Sequence, residues 1–243
     1  MTDFMQEANG NAMIDALIFD KDGTLFDFRA SWGAVGAALI DQLSPYAAPG
    51  ISVQMLLGYD PASGHFQPDS PMIAMTTHEI AEMLAENLAG ISLAEVTRLM
   101  DKLAVETEMV PAVALRPVLA DLRARGLKLG LATNDTEIPA RAHLERAGVL
   151  DLFDFVAGCD SGFGGKPAPG QLLAFVAKLG LTPGRVIMVG DSVHDLDAGR
   201  AAGMHAVAVL TGIATKGDLA PHADVVLNDI SQLAGWIDHK AAG

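Results

Sequence analysis

Strand-length apolar runs recur along this chain, and segments long enough for a helix lie between most of them. Ile14 to Asp20, Leu127 to Ala132, Phe155 to Gly158, Val186 to Val189 and His205 to Leu210 read as strands, with Asp224 to Leu227 as an edge. Val113–Arg125, Ile138–Ala147, Pro169–Leu179 and Asp195–Ala202 read as the intervening helices. Each is followed by a glycine, which readily takes the left-handed turn that closes a helix. Such alternation requires parallel strands joined by crossovers, with helices on both faces of the sheet. The expected fold class is therefore α/β, a doubly wound parallel sheet, finished by a last helix through Leu233 and Trp236.

One long stretch breaks the alternation. From about Trp32 to Val110 strand-like runs vanish and apolar residues recur at helical spacing. Ser31 is placed to cap a helix through Trp32, Val35, Leu39 and Leu43 that ends before Pro45. Met72 to Leu88 and Leu93 to Glu106 read as further helices, and Tyr59 to Pro71, rich in Pro, Gly, Ser and Asp, as a loop. The expected division is an α/β core from residues 1–27 and 112–243, with a smaller all-α cap, residues 28–111, inserted after the first strand. Residues 1–12 are polar and aperiodic and read as a loose leader.

The chemistry concentrates where strands end. Asp20-Lys21-Asp22-Gly23-Thr24-Leu25 follows the first strand directly. Ligands of parallel α/β sheets bind at the carboxyl ends of strands. Two carboxylates one residue apart raise each other's pKa unless a cation neutralises them, and Gly23 lets the chain turn sharply after the pair. Later, Leu127–Asn134 ends a strand-like run in Thr133 and Asn134, Gly164–Pro169 holds Lys166 between glycines and prolines, and Val186–Ser192 ends another apolar run in Asp191, with Asp195 following. These segments supply a nucleophilic carboxylate, a hydroxyl, a fixed cation and further acids.

In this order the four segments resemble the haloacid dehalogenase superfamily of phosphohydrolases, and within it phosphoglycolate-phosphatase-like members with a helical cap. The resemblance implies a phosphatase for a small phosphorylated metabolite, 2-phosphoglycolate or similar, working through an aspartyl-phosphate. Asp20 takes the place of the nucleophile, Asp22 of the general acid and base, and Thr133, Asn134 and Lys166 of the phosphate-binding groups. Mg²⁺ is the implied cofactor, held by the Asp20 and Asp191 carboxylates, the Asp22 carbonyl and Asp195, directly or through water. Lys21 departs from the apolar residue common between the two acids; its side chain should point away from the nucleophile. Substrate choice should lie in the cap, where Arg29, Trp32, His65 and His78 are candidate recognition groups and the methionines read as packing.

The same residues leave neighbouring functions to weigh. A phosphosugar mutase of the β-phosphoglucomutase type would use the same intermediate. A dehalogenase has no need of Asp22, and a phosphonatase needs a cap lysine where none stands before Lys102. A phospho-Asp signalling module is disfavoured by the large insertion. The formal net charge of −14 argues against a nucleic-acid partner. No apolar stretch is long enough for a bilayer, and Met1 to Ala12 carry no signal-peptide pattern. One cysteine, Cys159, fits a reducing cytoplasm and reads as a small structural residue. A monomer or homodimer is expected.

Overall fold

A computed structural model describes residues 13–242; the expected leader at 1–12 lies outside the described residues. The strands are β1 (Ala16–Phe19), β2 (Tyr59–Asp60), β3 (His65–Phe66), β4 (Lys128–Ala132), β5 (Phe155–Ala157), β6 (Val186–Gly190), β7 (His205–Val209) and β8 (Val225–Leu227). The longer helices are α1 (Phe28–Leu43), α4 (Thr77–Asn87), α5 (Leu93–Glu106), α6 (Leu115–Ala124), α7 (Glu137–Arg146), α8 (Gly170–Leu179), α9 (Val193–Ala201) and α11 (Leu233–Ala242). Single turns form α2 (Val53–Leu56), α3 (Pro71–Ala74) and α10 (Lys216–Leu219).

Six strands form one sheet in the order β5-β4-β1-β6-β7-β8, and every neighbouring pair is parallel. The chain builds outward from β1 through β4 to β5, then returns to the other side of β1 for β6, β7 and β8. That reversal sets a crevice at the carboxyl ends of β4, β1 and β6, the place where open α/β sheets bind ligands. Side chains alternate across β1. Leu17 and Phe19 pack with Leu129, Leu131, Ile187 and Val189 on one face, and Ala16 and Ile18 with Phe175 and Met188 on the other. Gly130 lets Phe175 press onto the sheet, since a Cβ there would lie 2.9 Å from its ring. Gly130→Ala would overpack this contact, typically at about 1–3 kcal/mol.

The segment between β1 and β4 carries its own apolar cluster, built from Trp32, Val35, Leu39, Leu57, Ile80, Leu84, Val96 and Met100 among others. Several details here differ from the sequence reading. Asp27, not Ser31, caps α1 by accepting from the Ala30 N–H, so the helix begins one turn earlier. Ser31 is buried, and its hydroxyl accepts from the Val110 N–H at 3.0 Å. The expected helix over Met72–Leu88 is two helices, α3 and α4. Thr76 and Glu79 form a reciprocal cap at the start of α4, which interrupts the run. The expected loop Tyr59–Pro71 contains the antiparallel pair β2–β3, so the insertion is not wholly helical. The two chain crossings lie side by side: the Asp27 N–H donates to Val110 O and the Ala112 N–H to Leu25 O.

Candidate active site

Asp20 stands one residue past β1, and its N–H still donates to Val189 O at 2.9 Å, so strand pairing fixes its position. Its carboxylate is buried and accepts from Lys166 Nζ at 2.5 Å. Lys166 reaches it from the loop between β5 and α8 and pairs also with Asp195 Oδ1 at 2.7 Å. Asp191, at the end of β6, completes a cluster in which one oxygen each from Asp20, Asp191 and Asp195 lies within 4.8 Å of the others. Asp191 is wedged between two close backbone approaches. A Cβ on Gly23 would fall 2.3 Å from Asp191 Oδ2, and one on Gly212 1.7 Å from it. Gly23 also has φ +84°, which an L side chain rarely adopts.

These groups carry an uncompensated charge. Three buried carboxylates face the single ammonium of Lys166, leaving two formal negative charges. Burial first, then the Asp195 and Asp22 charges, push the Asp20 carboxyl up to about 7 against the pull of Lys166. Burial and the charges of Asp195 and Asp20 push Asp191 well above the usual carboxylate range. Burial alone would push Lys166 down, but Asp195 and Asp20 more than offset it and hold the ammonium well above its ordinary value. The donor set is all hard oxygen and its deficit equals one divalent cation, so the residues fit Mg²⁺. Asp195 has less freedom than the other two: its Oδ2 accepts from the Ser192 N–H and hydroxyl in the cap of α9.

The structure places the remaining predicted groups around the same crevice. Thr133 lies at the end of β4, and its hydroxyl oxygen accepts from the Asp135 N–H at 3.1 Å, which leaves its hydrogen free to donate. Asn134, expected to bind phosphate, lines the cavity, and its side chain clamps Lys166. Its Oδ1 accepts from the Lys166 N–H at 2.8 Å, while Nδ2 donates to Lys166 O at 3.0 Å and to Ala74 O at 2.9 Å. Asp22 is held from two sides, by Trp32 Nε1 donating to Oδ1 at 2.8 Å and Lys21 Nζ against Oδ2 at 2.7 Å. Of the four recognition candidates in the insertion, only Trp32 lines the cavity above Asp20. Arg29 is exposed, and His78 is exposed and paired with Glu82. Met72, Met75 and Met100, expected only to pack, line the cavity as well. Cys159 is half-buried with its thiol pushed up to about 11, chiefly by burial, so no reactive thiolate stands here.

Sequence reasoning missed one buried network. Lys21 is fully buried and does point away from Asp20, but its ammonium is shared among Asp22, Asp135 Oδ2 at 3.1 Å and His143 Nδ1 at 3.2 Å, with Trp32 under it. His143 donates from Nε2 to Ala104 O at 2.7 Å, which makes Nδ1 the acceptor of the Lys21 proton. Burial and the Lys21 charge hold His143 below its ordinary pKa, in keeping with a neutral ring. Thr77 of α4 donates to Asp135, and Thr136 to Asp101 of α5, so the network spans both parts of the chain. A lysine between two acids was the available signal; its partners Asp135 and His143 lie more than a hundred residues on, beyond any local pattern.

With this geometry in hand, comparison with known proteins is informative. The family model for haloacid dehalogenase-like hydrolases matches residues 14–203. A phosphoglycolate phosphatase of Chromobacterium violaceum is 38% identical over 229 residues, covering 90% of this chain and 95% of that protein. A phosphoglycolate phosphatase of Rhodospirillum rubrum is 36% identical over 126 residues, and the match spans only 52% of each chain. The fold matches the crystal structure of a predicted phosphoglycolate phosphatase from Haemophilus somnus with TM-score 0.72 at 19% identity, over 92% of this chain and 98% of that one. On its sequence and its architecture alike, the chain belongs to the haloacid dehalogenase-like hydrolases.

Proposed function

We propose that this chain is a Mg²⁺-dependent phosphatase of small phosphorylated metabolites that works through an aspartyl-phosphate on Asp20. The observation that carries the reading is the buried trio Asp20, Asp191 and Asp195 around one lysine at the carboxyl ends of β1 and β6. The named activity of the C. violaceum and R. rubrum relatives supports a phosphoric monoester hydrolase.

Asp20 attacks phosphorus and forms a covalent intermediate, splitting one difficult displacement into two. Lys166 holds the attacking carboxylate in place and offsets charge on the transferring oxygens. Thr133 donates its free hydrogen to one of those oxygens, and Asn134 contributes by fixing the Lys166 main chain. Asp22 protonates the leaving oxygen, then takes a proton from the water that hydrolyses the intermediate. The Asp20 and Asp191 carboxylates and the Asp22 carbonyl would hold Mg²⁺, which when bound would supply positive charge against the phosphoryl group. Asp195 anchors Lys166 and would support the ion, directly or through water. The described parts of residues 1–27 and 112–243 form the catalytic unit, and residues 28–111 form a cap that covers it, hinged at the paired crossings near Phe28 and Pro111. Closure excludes bulk water during transfer.

Phosphate release from a panel of phosphate monoesters tests this reading. Hydrolysis should need Mg²⁺, stop with EDTA, and fall by on the order of 10⁴-fold or more in a folded Asp20→Asn variant. Undiminished turnover by that variant, or full activity in metal-free buffer, would contradict it.

A further inference from the structure

The cavity over Asp20 encloses about 760 Å³ of space between atoms, its mouth included. Its two sides have opposite chemistry. Every acid lining it, and Lys166, come from the sheet side. The insertion contributes side chains such as Phe28, Val35, Leu39, Met72, Met75 and Ile80, and none of its lining side chains carries a charge. Its polar contributions are Thr77, whose hydroxyl donates to Asp135, and the Trp32 N–H, which is given to Asp22.

The cations nearby are committed. The Lys166 ammonium lies between Asp20 and Asp195, and the Lys21 ammonium among Asp22, Asp135 and His143. His194 also lines the cavity, from α9 on the sheet side. A phosphoryl group seated at Asp20 would therefore direct its leaving group toward an apolar wall. A carboxylate on that leaving group would be stripped of water with no uncommitted lysine or arginine among the described residues of the lining to meet it, beside Asp22 and Asp135, which repel it. An alkyl or aryl group would gain from the same wall, and the thioethers of Met72, Met75 and Met100 adapt to irregular shapes.

We infer that the preferred substrates are phosphate monoesters of uncharged, apolar alcohols, recognised by the underside of the insertion. This rests on the phosphatase reading above and deepens it. Because n-alkyl phosphates share one leaving-group reactivity, a chain-length series isolates the wall's contribution. With Mg²⁺, kcat/KM should rise about fourfold per added methylene until the wall is covered. Terminal carboxylates, 2-phosphoglycolate included, should fall below alkyl phosphates of equal length by about 10²-fold. Met75→Lys should narrow or reverse that difference, Met75→Leu should preserve it, and Met72→Lys serves if Met75→Lys does not fold. His194→Ala should leave the preference in place. Rates flat along the series, or faster hydrolysis of the carboxylates, would overturn this inference while leaving the phosphatase reading standing. No phosphate release from any ester would remove that reading itself.

Discussion

The floor and the roof of the cavity differ in nearly every physical respect. The floor is built from strand ends, where main-chain pairing fixes Asp20 and Thr133 and Asp191 directly follows β6, and it concentrates charge. The roof comes from helices and their links, where apolar side chains meet through a cluster of their own. Strand ends hold atoms to within tenths of an ångström, which phosphoryl transfer demands. An apolar roof can change its side chains while keeping its volume and so alter which leaving group fits. The difference puts the proposed chemistry and the proposed selectivity in separately built parts of this chain, joined at Asp22, which both parts hold.

That junction offers the sharpest test of the division. Asp22→Asn keeps the shape but removes the proton, so hydrolysis of alkyl phosphates should fall about 10²–10⁴-fold. An aryl phosphate, whose leaving group needs little protonation, should fall much less. Equal losses on both substrates would mean that Asp22 acts by structure alone. Kinetics across leaving groups decide it.

Lys21 tests how far the charge network packed against Trp32 supports the floor. In Lys21→Met, buried Asp135 and part-buried Asp22 lose their cation, and breaking such a buried pair typically costs about 3–5 kcal/mol. Denaturant unfolding should show a loss of this size, with Lys21→Arg losing less. An unchanged unfolding midpoint would show the network to be idle.

A smaller effect follows from the raised carboxyls of the floor. In metal-free protein burial pushes the Asp20 carboxyl up to about 7 when folded, against its ordinary 3.8. Between those values the folded state holds a proton that the unfolded state has released, so stability from this group falls as pH rises through that window. Protons and Mg²⁺ compete for the same oxygens. The gain in Tm on adding Mg²⁺ should therefore be larger at about pH 8 than at about pH 5.5. A gain independent of pH would place the ion elsewhere.

The floor was the more legible half. Apolar runs ending in Asp or Thr placed β1, β4 and β6 to within about two residues, because buried parallel strands read as continuous hydrophobic stretches. The roof was read more coarsely. Leu93–Glu106 was recovered to the residue as α5, yet α3 and α4 were merged although Thr76 and Glu79 spell out a cap. The pair β2–β3 has two residues per strand, too few to show any period. The clamp of the Asn134 amide on Lys166 was not legible, because that contact is set by a loop far down the chain. Lys21 was legible only in part: side-chain alternation gave its direction and could not name its distant partners.

The central claim is that the floor transfers the phosphoryl group first to Asp20 and only then to water. Each in-line displacement inverts phosphorus, so two displacements restore its configuration. Hydrolysis of an isotopically chiral phosphate monoester, with the stereochemistry of the released phosphate read out, is the direct measurement. The account predicts net retention of configuration, and net inversion would mean that water attacks the substrate directly and that Asp20 is not the nucleophile.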